Sequence, residues 1–205
     1  MSQAITLYTN PMSRGRIVRW MLEELGLSYE TKILNYATSM KSAEYLAINP
    51  MGKVPAIQHG TTIITETAAI CAYLAETFKD AGLAPQNDAE RGAYYRWLFF
   101  AAGPLEQAFN LKMLGTEITP DNEKFLGCGN PQTTIDVLAN ALSNNTYICG
   151  ERFTAADVYV GSHIGFGMQF NTLEKRPEFI KYWELLNNRP AKLKANEIDD
   201  SLMNK

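Results

Sequence analysis

Val54-Pro55-Ala56-Ile57 and, a few residues on, Thr65-Glu66-Thr67-Ala68 are the residues whose types and spacing could do chemistry together. Proline has no N–H to give a sheet ladder, so inside a sheet it belongs at a strand's first residue, an edge or a bulge. At the mouth of a strand it can also hold a cis bond. That bend leaves the N–H and C=O of Val54 pointing outward, and an extended peptide can pair with them as an added strand. Glu66-Thr67 then opens a helix, whose free N–H groups and positive dipole end make a carboxylate site. Read separately, Glu66-Thr67 is an ordinary helix start with a favourable acidic residue. Read after the Val54-Pro55 strand, it completes a dock for a small, extended peptide that carries a carboxylate.

The elements that must position this dock follow from period and punctuation. Ile5-Thr6-Leu7-Tyr8-Thr9 alternates and is rich in β-branched and aromatic residues, which predicts a first strand. Asn10-Pro11-Met12 is turn chemistry. From Ser13 the period changes: Ile17, Val18, Met21, Leu22 and Leu25 form one apolar helical face, with Arg14, Arg16, Arg19, Glu23 and Glu24 off it. Ser13 is the expected N-cap and Gly26 the terminator. Residues 29–34 read as a second strand and 42–46 as a short helix. Two strands follow, one opening at Val54 and one over 61–65, around a tight return at Gly60, and then a helix over 66–78. A polar connection containing Gly82 and Pro85 divides the chain into a first domain at 1–80, a linker at 81–87 and a second domain at 88–205.

No strand is expected beyond the linker. Tyr94, Trp97, Leu98, Ala101, Leu105 and Ala108 mark a long helix kinked at Gly103-Pro104. Residues 120–142 form a helical region broken near 127–131. Thr154-Ala155-Ala156-Asp157 is a capping box, with Phe153 placed to staple onto Val158. The helix it opens carries Gly161, Gly165 and Gly167, which costs propensity and makes sense where neighbours approach closely. Arg176-Pro177 and Arg189-Pro190 start two more helices, the last one short.

Composition removes several function classes. A chain of 205 residues can bury a good core in one large domain or two small ones. Nineteen basic against 22 acidic residues give a net charge of -3, which argues against a phosphate track and hence against nucleic acid. No apolar run approaches the ~18 residues of a membrane span. The opening Met1-Ser2-Gln3-Ala4-Ile5 lacks a basic region followed by an apolar one, so no secretory signal is expected. Cys71, Cys128 and Cys149 form neither a disulfide framework nor a Cys-x-x-Cys pair, so a reducing cytoplasm is expected. His59 and His163 belong to no metal-ligand pattern; both read as non-catalytic, and no metal is expected.

Asn49-Pro50-Met51-Gly52-Lys53-Val54-Pro55-Ala56-Ile57, followed by Thr65-Glu66-Thr67-Ala68-Ala69-Ile70, resembles the glutathione-binding half of the glutathione S-transferases, in their bacterial cytosolic form. The Phe153-Thr154…Asp157 box inside an all-helical second half resembles the same family, where it starts the central helix and serves folding. The similarity runs over nearly the whole chain. It implies an α/β thioredoxin-like N-terminal domain plus an all-α C-terminal domain. It also implies a cytoplasmic homodimer acting in detoxification, with glutathione as co-substrate, no other cofactor, and a small apolar electrophile as the second substrate. In this family Val54 would pair through its main chain with the cysteinyl unit, and Pro55 would shape that backbone. Glu66 would pair with the γ-glutamyl ammonium, Thr67 and the helix N–H groups with its carboxylate, and Lys53 would reach the glycyl carboxylate.

The glutathione thiol ionises near ~8.5, and making it mostly thiolate at neutral pH needs about 2 units, or roughly 2.7 kcal/mol. A helix N-terminus supplies typically ~0.3–1 kcal/mol. A hydrogen bond to the charged form adds about 1.5–3 kcal/mol. Both together suffice, so the resemblance calls for a hydroxyl or N–H donor just ahead of a helix. Ser13, with Arg14 and Arg16 beside it, matches the serine-using classes. Tyr8 ends the first strand as the tyrosine of other classes does, and Asn10 offers an amide. A cysteine-using enzyme is disfavoured, since no Cys lies near this helix start. The electrophile would sit between the domains, against Met12, Phe100, Phe109, Met113 and Phe166. The competing readings are a non-catalytic binding or regulatory protein of the same fold, and a glutathione-dependent reductase or lyase.

Overall fold

The computed structural model describes residues 3–203; Met1 and Ser2, part of the stretch read for a leader, lie outside them. The chain forms two compact units, one of residues up to Gly82 together with those from Asn188 onward, the other Leu83–Asn187.

In the first unit, alternation gives β1 (Ile5–Thr9), with Ile5, Leu7 and Tyr8 in the core. The 3.6-residue period then gives α1 (Gly15–Glu24), whose Ile17, Val18, Met21 and Leu22 are fully buried. It ends as the sequence says it should. Gly26 has φ +63°, its N–H meets the Glu23 carbonyl at 3.1 Å, and Leu27 N–H reaches back to Leu22 at 3.2 Å, closing a Schellman motif. β2 (Glu30–Ile33), α2 (Ala43–Leu46), β3 (Ala56–His59), β4 (Thr62–Thr65) and α3 (Thr67–Thr77) follow. The sheet order is β2-β1-β3-β4, with β1 parallel to β2 and antiparallel to β3, and β4 antiparallel to β3. This is the expected βαβ and ββα succession. The β3 strand begins at Ala56, two residues after Val54, so Val54 stands outside the ladder.

Two expectations are corrected here. The last helix, α10 (Pro190–Met203), has 14 residues and is not short, and it belongs to the first unit and not to the helical one. Its sequence reads polar because its inner face pairs charges with α1. Arg19, expected off the buried face, is 1% exposed; its Nε meets Asp199 at 2.9 Å and its Nη1 meets Tyr29 at 3.1 Å. Arg189 grips Glu24 at 2.7 and 2.8 Å, Lys194 meets Glu23 at 2.7 Å, and the Lys192 ammonium lies 5.0 Å over the Trp20 ring.

Lys192 is 3% exposed. Burial, and next the Arg16 guanidinium, push its ammonium down to about 8, against the pull of Asp199 and Asp200. A base whose folded value lies below its unfolded 10.5 binds fewer protons when folded. Stability therefore rises with pH between about 8 and 10.5 through this group. Lys192→Met removes the buried charge and is expected to stabilise the protein at pH 7 by on the order of 1–3 kcal/mol in urea melts. It should also flatten that alkaline rise. Destabilisation at pH 7 would show that the ring and carboxylate contacts outweigh desolvation.

The second unit is helical: α4 (Asp88–Phe100), α5 (Glu106–Met113), α6 (Pro120–Glu123), α7 (Pro131–Asn144), α8 (Ala155–Gln169) and α9 (Pro177–Asn187). Between α4 and α5, Ala101–Leu105 is a π-helical segment containing Pro104, which cannot donate and widens the turn where a kink was expected. The region expected helical from 120 is one turn, α6, before α7 begins at Pro131. Nearly all of α8 is buried, and its small residues are required. A Cβ on Gly161 would lie 2.3 Å from Leu186, and one on Gly165 2.5 Å from the Trp183 ring. Thr154 and Asp157 close the expected capping box. Phe153 stacks edge-on against Tyr147 at 5.8 Å between centroids.

Candidate active site

The loop between β1 and α1 is built by Asn10, which is almost wholly buried. Its side-chain amide donates to the Leu34 carbonyl at 2.8 Å, its Oδ1 accepts the Met12 N–H at 2.9 Å, and its carbonyl accepts the Ser13 N–H at 3.0 Å. That carbonyl also accepts the Ser13 hydroxyl, at 2.6 Å. Asn10 is thus committed to organising the loop. Ser13 Oγ in turn accepts the Gly15 N–H at 2.9 Å. The helix begins at Gly15, with Arg14 in the cap position, so the expected N-cap at Ser13 is displaced by one residue. The cap bond itself is still made by Ser13, because its side chain reaches a first-turn N–H from one position further back. Ser13 keeps a half-buried hydroxyl at the positive end of α1, and Arg14 beside it is exposed.

Tyr8 lies opposite Ala56 in the sheet and packs with Met40 and Tyr45 in the core. Its hydroxyl donates to Gln58 at 3.1 Å. Tyr8 thus donates to β3 and Asn10 holds the loop together, while Ser13, whose hydroxyl donates to the Asn10 carbonyl, is the one of the three that also bonds a first-turn N–H of α1.

The second part of the site is the approach to β3. Asn49, nearly buried, accepts the Met51 N–H at 3.1 Å and donates to the Lys53 carbonyl at 2.8 Å. Tyr45 donates to the same carbonyl at 2.6 Å. Lys41 closes the turn from outside through the carbonyls of Met51 (3.2 Å) and Gly52 (3.0 Å). Gly52 has φ +57°, and a Cβ there would meet the Met40 carbonyl at 2.8 Å, so only glycine fits. The Val54–Pro55 bond is cis, with Pro55 buried and Lys53 exposed. Among the described residues, nothing takes the N–H or the C=O of Val54.

The third part is the start of α3. Glu66 is exposed and holds φ +63°, ψ +117°, outside the regions that side-chain-bearing residues favour. Its side chain makes no capping bond, whereas its carbonyl accepts the Ile70 N–H at 2.9 Å. Thr67 follows in the first position of α3, almost buried.

Of the apolar candidates, Met12 is 76% exposed in the loop beside Ser13. In the helical unit, Phe100 ends α4 and stacks edge-on against Trp97 at 5.1 Å. Phe109 and Met113 lie on α5, and Phe166 on α8. His59 Nδ1 is 2.9 Å from the Tyr73 hydroxyl, and His163 Nε2 is 3.9 Å from Glu106. The three cysteines are unbonded, and burial pushes the Cys71 and Cys149 thiols up to about 12, leaving them inert as nucleophiles at neutral pH. Among the described residues, no group of three or more His, Cys, Asp or Glu could hold a metal ion, and no helix is long and apolar enough to cross a membrane.

Several residues of the site are not singled out by sequence reasoning. Gly15 is one: a Cβ there would lie 1.8 Å from Thr9 Oγ1, so glycine lets α1 start against the end of β1. Tyr36, which donates to the Met12 carbonyl at 3.0 Å, is another. Arg16, read in the sequence only as positive charge beside Ser13, donates through Nε to the Pro11 carbonyl at 2.8 Å. A glycine at the first turn of a helix, where it costs propensity, is the signal that could have found the first. Nothing in the spacing marks Tyr36.

Comparison with known proteins agrees with the fold. The profile of the glutathione S-transferase N-terminal domain matches residues 12–77, and that of the C-terminal domain residues 132–190. The chain is 31% identical to glutathione S-transferase GstA of Escherichia coli O157:H7, over 78% of this chain and 77% of that protein. It is 28% identical to glutathione S-transferase 3 of Schizosaccharomyces pombe, over 97% and 90%. Among solved structures, a glutathione transferase of Phanerochaete chrysosporium in complex with oxidised glutathione superposes with a TM-score of 0.79 at 27% identity, covering 97% of both chains.

Proposed function

This chain belongs to the glutathione S-transferase family, and on that premise we propose that it binds glutathione beside β3 and ionises its thiol with Ser13. The observation that carries the proposal is the main chain of Val54, whose N–H and C=O have no partner among the described residues and are open to an extended ligand. The cysteinyl unit pairs there, which fixes the direction of the tripeptide. Its γ-glutamyl end then runs toward α3, where Glu66 takes the ammonium and Thr67 with the first-turn N–H groups takes the carboxylate. Lys53 takes the glycyl carboxylate. Pro55 shapes the backbone between them and touches no reacting atom.

Ser13 acts on the sulfur. Its hydroxyl turns from the Asn10 carbonyl to the thiolate, while Oγ goes on accepting the Gly15 N–H, which polarises the O–H toward the sulfur. The thiol proton leaves to water. The thiolate then attacks the electrophile: an S–C bond forms and the leaving group departs with its electron pair. The exposed Met12 beside Ser13 supports a small apolar electrophile. No metal or further cofactor enters this scheme, and the enzyme is proposed to act as a cytoplasmic homodimer.

Retention on immobilised glutathione together with conjugation of an aromatic halide is the test. Retention without conjugation of any halide tried would leave a binder, and absence of retention would remove the proposal. Glu66→Gly sharpens it. Relief of the positive φ is expected to raise stability by about 0.5–1 kcal/mol. Loss of the carboxylate should weaken glutathione binding by about tenfold or more in calorimetry. Unchanged affinity would take Glu66 out of the site.

A further inference from the structure

The loop that carries Ser13 is tied to the far end of the chain. Arg16, in the first turn of α1, donates through Nε to the Pro11 carbonyl at 2.8 Å, while its Nη2 pairs with the Asp200 carboxylate near the end of α10. One residue earlier, Asp199 pairs with Arg19 in the interior at 2.9 Å, which fixes where this stretch of α10 lies against α1. Arg16 is 16% exposed and Asp200 57%, so the pair lies at the rim and its Coulomb energy alone is small. What it offers is orientation. A guanidinium held at two edges is a planar fork in one position, whereas one held at a single edge samples other rotamers.

The carbonyl so held is the middle one of three. Asn10's carbonyl accepts the Ser13 hydroxyl, and Met12's accepts Tyr36. The proline ring sets φ of Pro11, so fixing its carbonyl fixes ψ as well, and with it the path by which the chain reaches Ser13.

We propose that Asp200 is a positioning residue for the transferase reaction: through Arg16 it holds the Pro11 carbonyl, and thereby the Ser13 hydroxyl, in the direction from which it meets the glutathione sulfur. The inference rests on the assignment of Ser13 above. By it, a helix that touches no substrate tunes how readily the bound thiol ionises.

Charge and positioning act with opposite signs, which makes the two separable. Removing the Asp200 charge leaves Arg16 less neutralised, and a plain charge effect favours the thiolate and lowers its titration midpoint. Loss of positioning weakens the bond from Ser13 to the thiolate and raises the midpoint.

The test titrates the thiolate absorbance of bound glutathione in the full-length protein, in Asp200→Asn, Asp200→Glu and Arg16→Lys, with glutathione affinity measured alongside. Asp200→Asn and Arg16→Lys are expected to raise the midpoint by about 0.5 unit, with a roughly threefold loss of kcat/KM below it and less than about twofold change in affinity. Asp200→Glu, which keeps the carboxylate, should restore the unsubstituted value. Arg16→Lys keeps the positive charge but cannot hold both partners, so it tests orientation without a change of charge. An unchanged or lowered midpoint in Asp200→Asn overturns the inference, and so does an unchanged midpoint in Arg16→Lys. A midpoint near that of free glutathione in the unsubstituted protein instead overturns the Ser13 assignment itself, and the inference falls with it.

Discussion

Ser13→Ala is expected to lower kcat/KM at neutral pH by about 10- to 100-fold and to raise the midpoint of the bound thiol by about 1–2 units. On the proposed assignment two contributions hold the thiolate: the field at the start of α1, and one hydrogen bond to a charged acceptor. The substitution leaves the first in place and removes the second, worth about 1.5–3 kcal/mol. Glutathione affinity should change by less than about threefold, because the proposed grip on the tripeptide lies at Val54 and α3. Ser13 also caps α1 through the Gly15 N–H, so stability is expected to fall by about 1 kcal/mol. Ser13→Thr separates the roles, since it retains the hydroxyl and should recover most of the midpoint. Rate recorded against pH decides the matter: a Ser13→Ala profile with its inflection where the unsubstituted protein has it would take Ser13 out of the chemistry.

Asp157→Ala is expected to cost about 3–5 kcal/mol, enough to unfold a marginal protein. The Asp157 carboxylate is fully buried and accepts four bonds: from Thr154 N–H at 2.8 Å, Thr154 Oγ1 at 3.1 Å, Ile148 N–H at 2.7 Å and Tyr182 hydroxyl at 2.8 Å. Burial pushes its acid up to about 6, still below neutrality, so the anion is the form that meets these donors at pH 7. Alanine leaves two buried main-chain N–H groups and a phenol unpaired, each costing about 1–3 kcal/mol, besides uncapping α8. Urea denaturation followed by helical circular dichroism measures the loss. A decrease under about 1 kcal/mol would mean that water or relaxation replaces the carboxylate.

The sequence makes the dock legible for a physical reason. Proline, glycine and a helix-opening acid change the backbone locally, and local backbone chemistry is written in consecutive residues. Thus Val54-Pro55, Gly26 and the Thr154 box stand where they were expected, and a π-helical segment stands at Pro104 where a kink was expected. What pairs across the chain is not written that way. Arg19 looks like a solvated residue because its partner, Asp199, lies 180 residues away, and α10 looks polar for the same reason. Tyr8 and Asn10 are hydroxyl and amide donors on composition alone. Only the register opposite Ala56 and the carbonyl of Leu34 reveal that both are committed elsewhere. The helix begins one residue later than a cap at Ser13 implies, at Gly15, where only the lack of a Cβ clears Thr9 at the end of β1, a contact that consecutive residues do not reveal.

Val54 gripping a tripeptide whose sulfur rests on Ser13 is the claim on which the rest depends. A crystal of this protein grown with glutathione tests it most directly. The account predicts the cysteinyl N–H and C=O paired with Val54, the γ-glutamyl carboxylate at the start of α3, and the sulfur within about 3.5 Å of Ser13 Oγ. Glutathione bound elsewhere, or bound at Val54 with its sulfur nearest another donor, would contradict it.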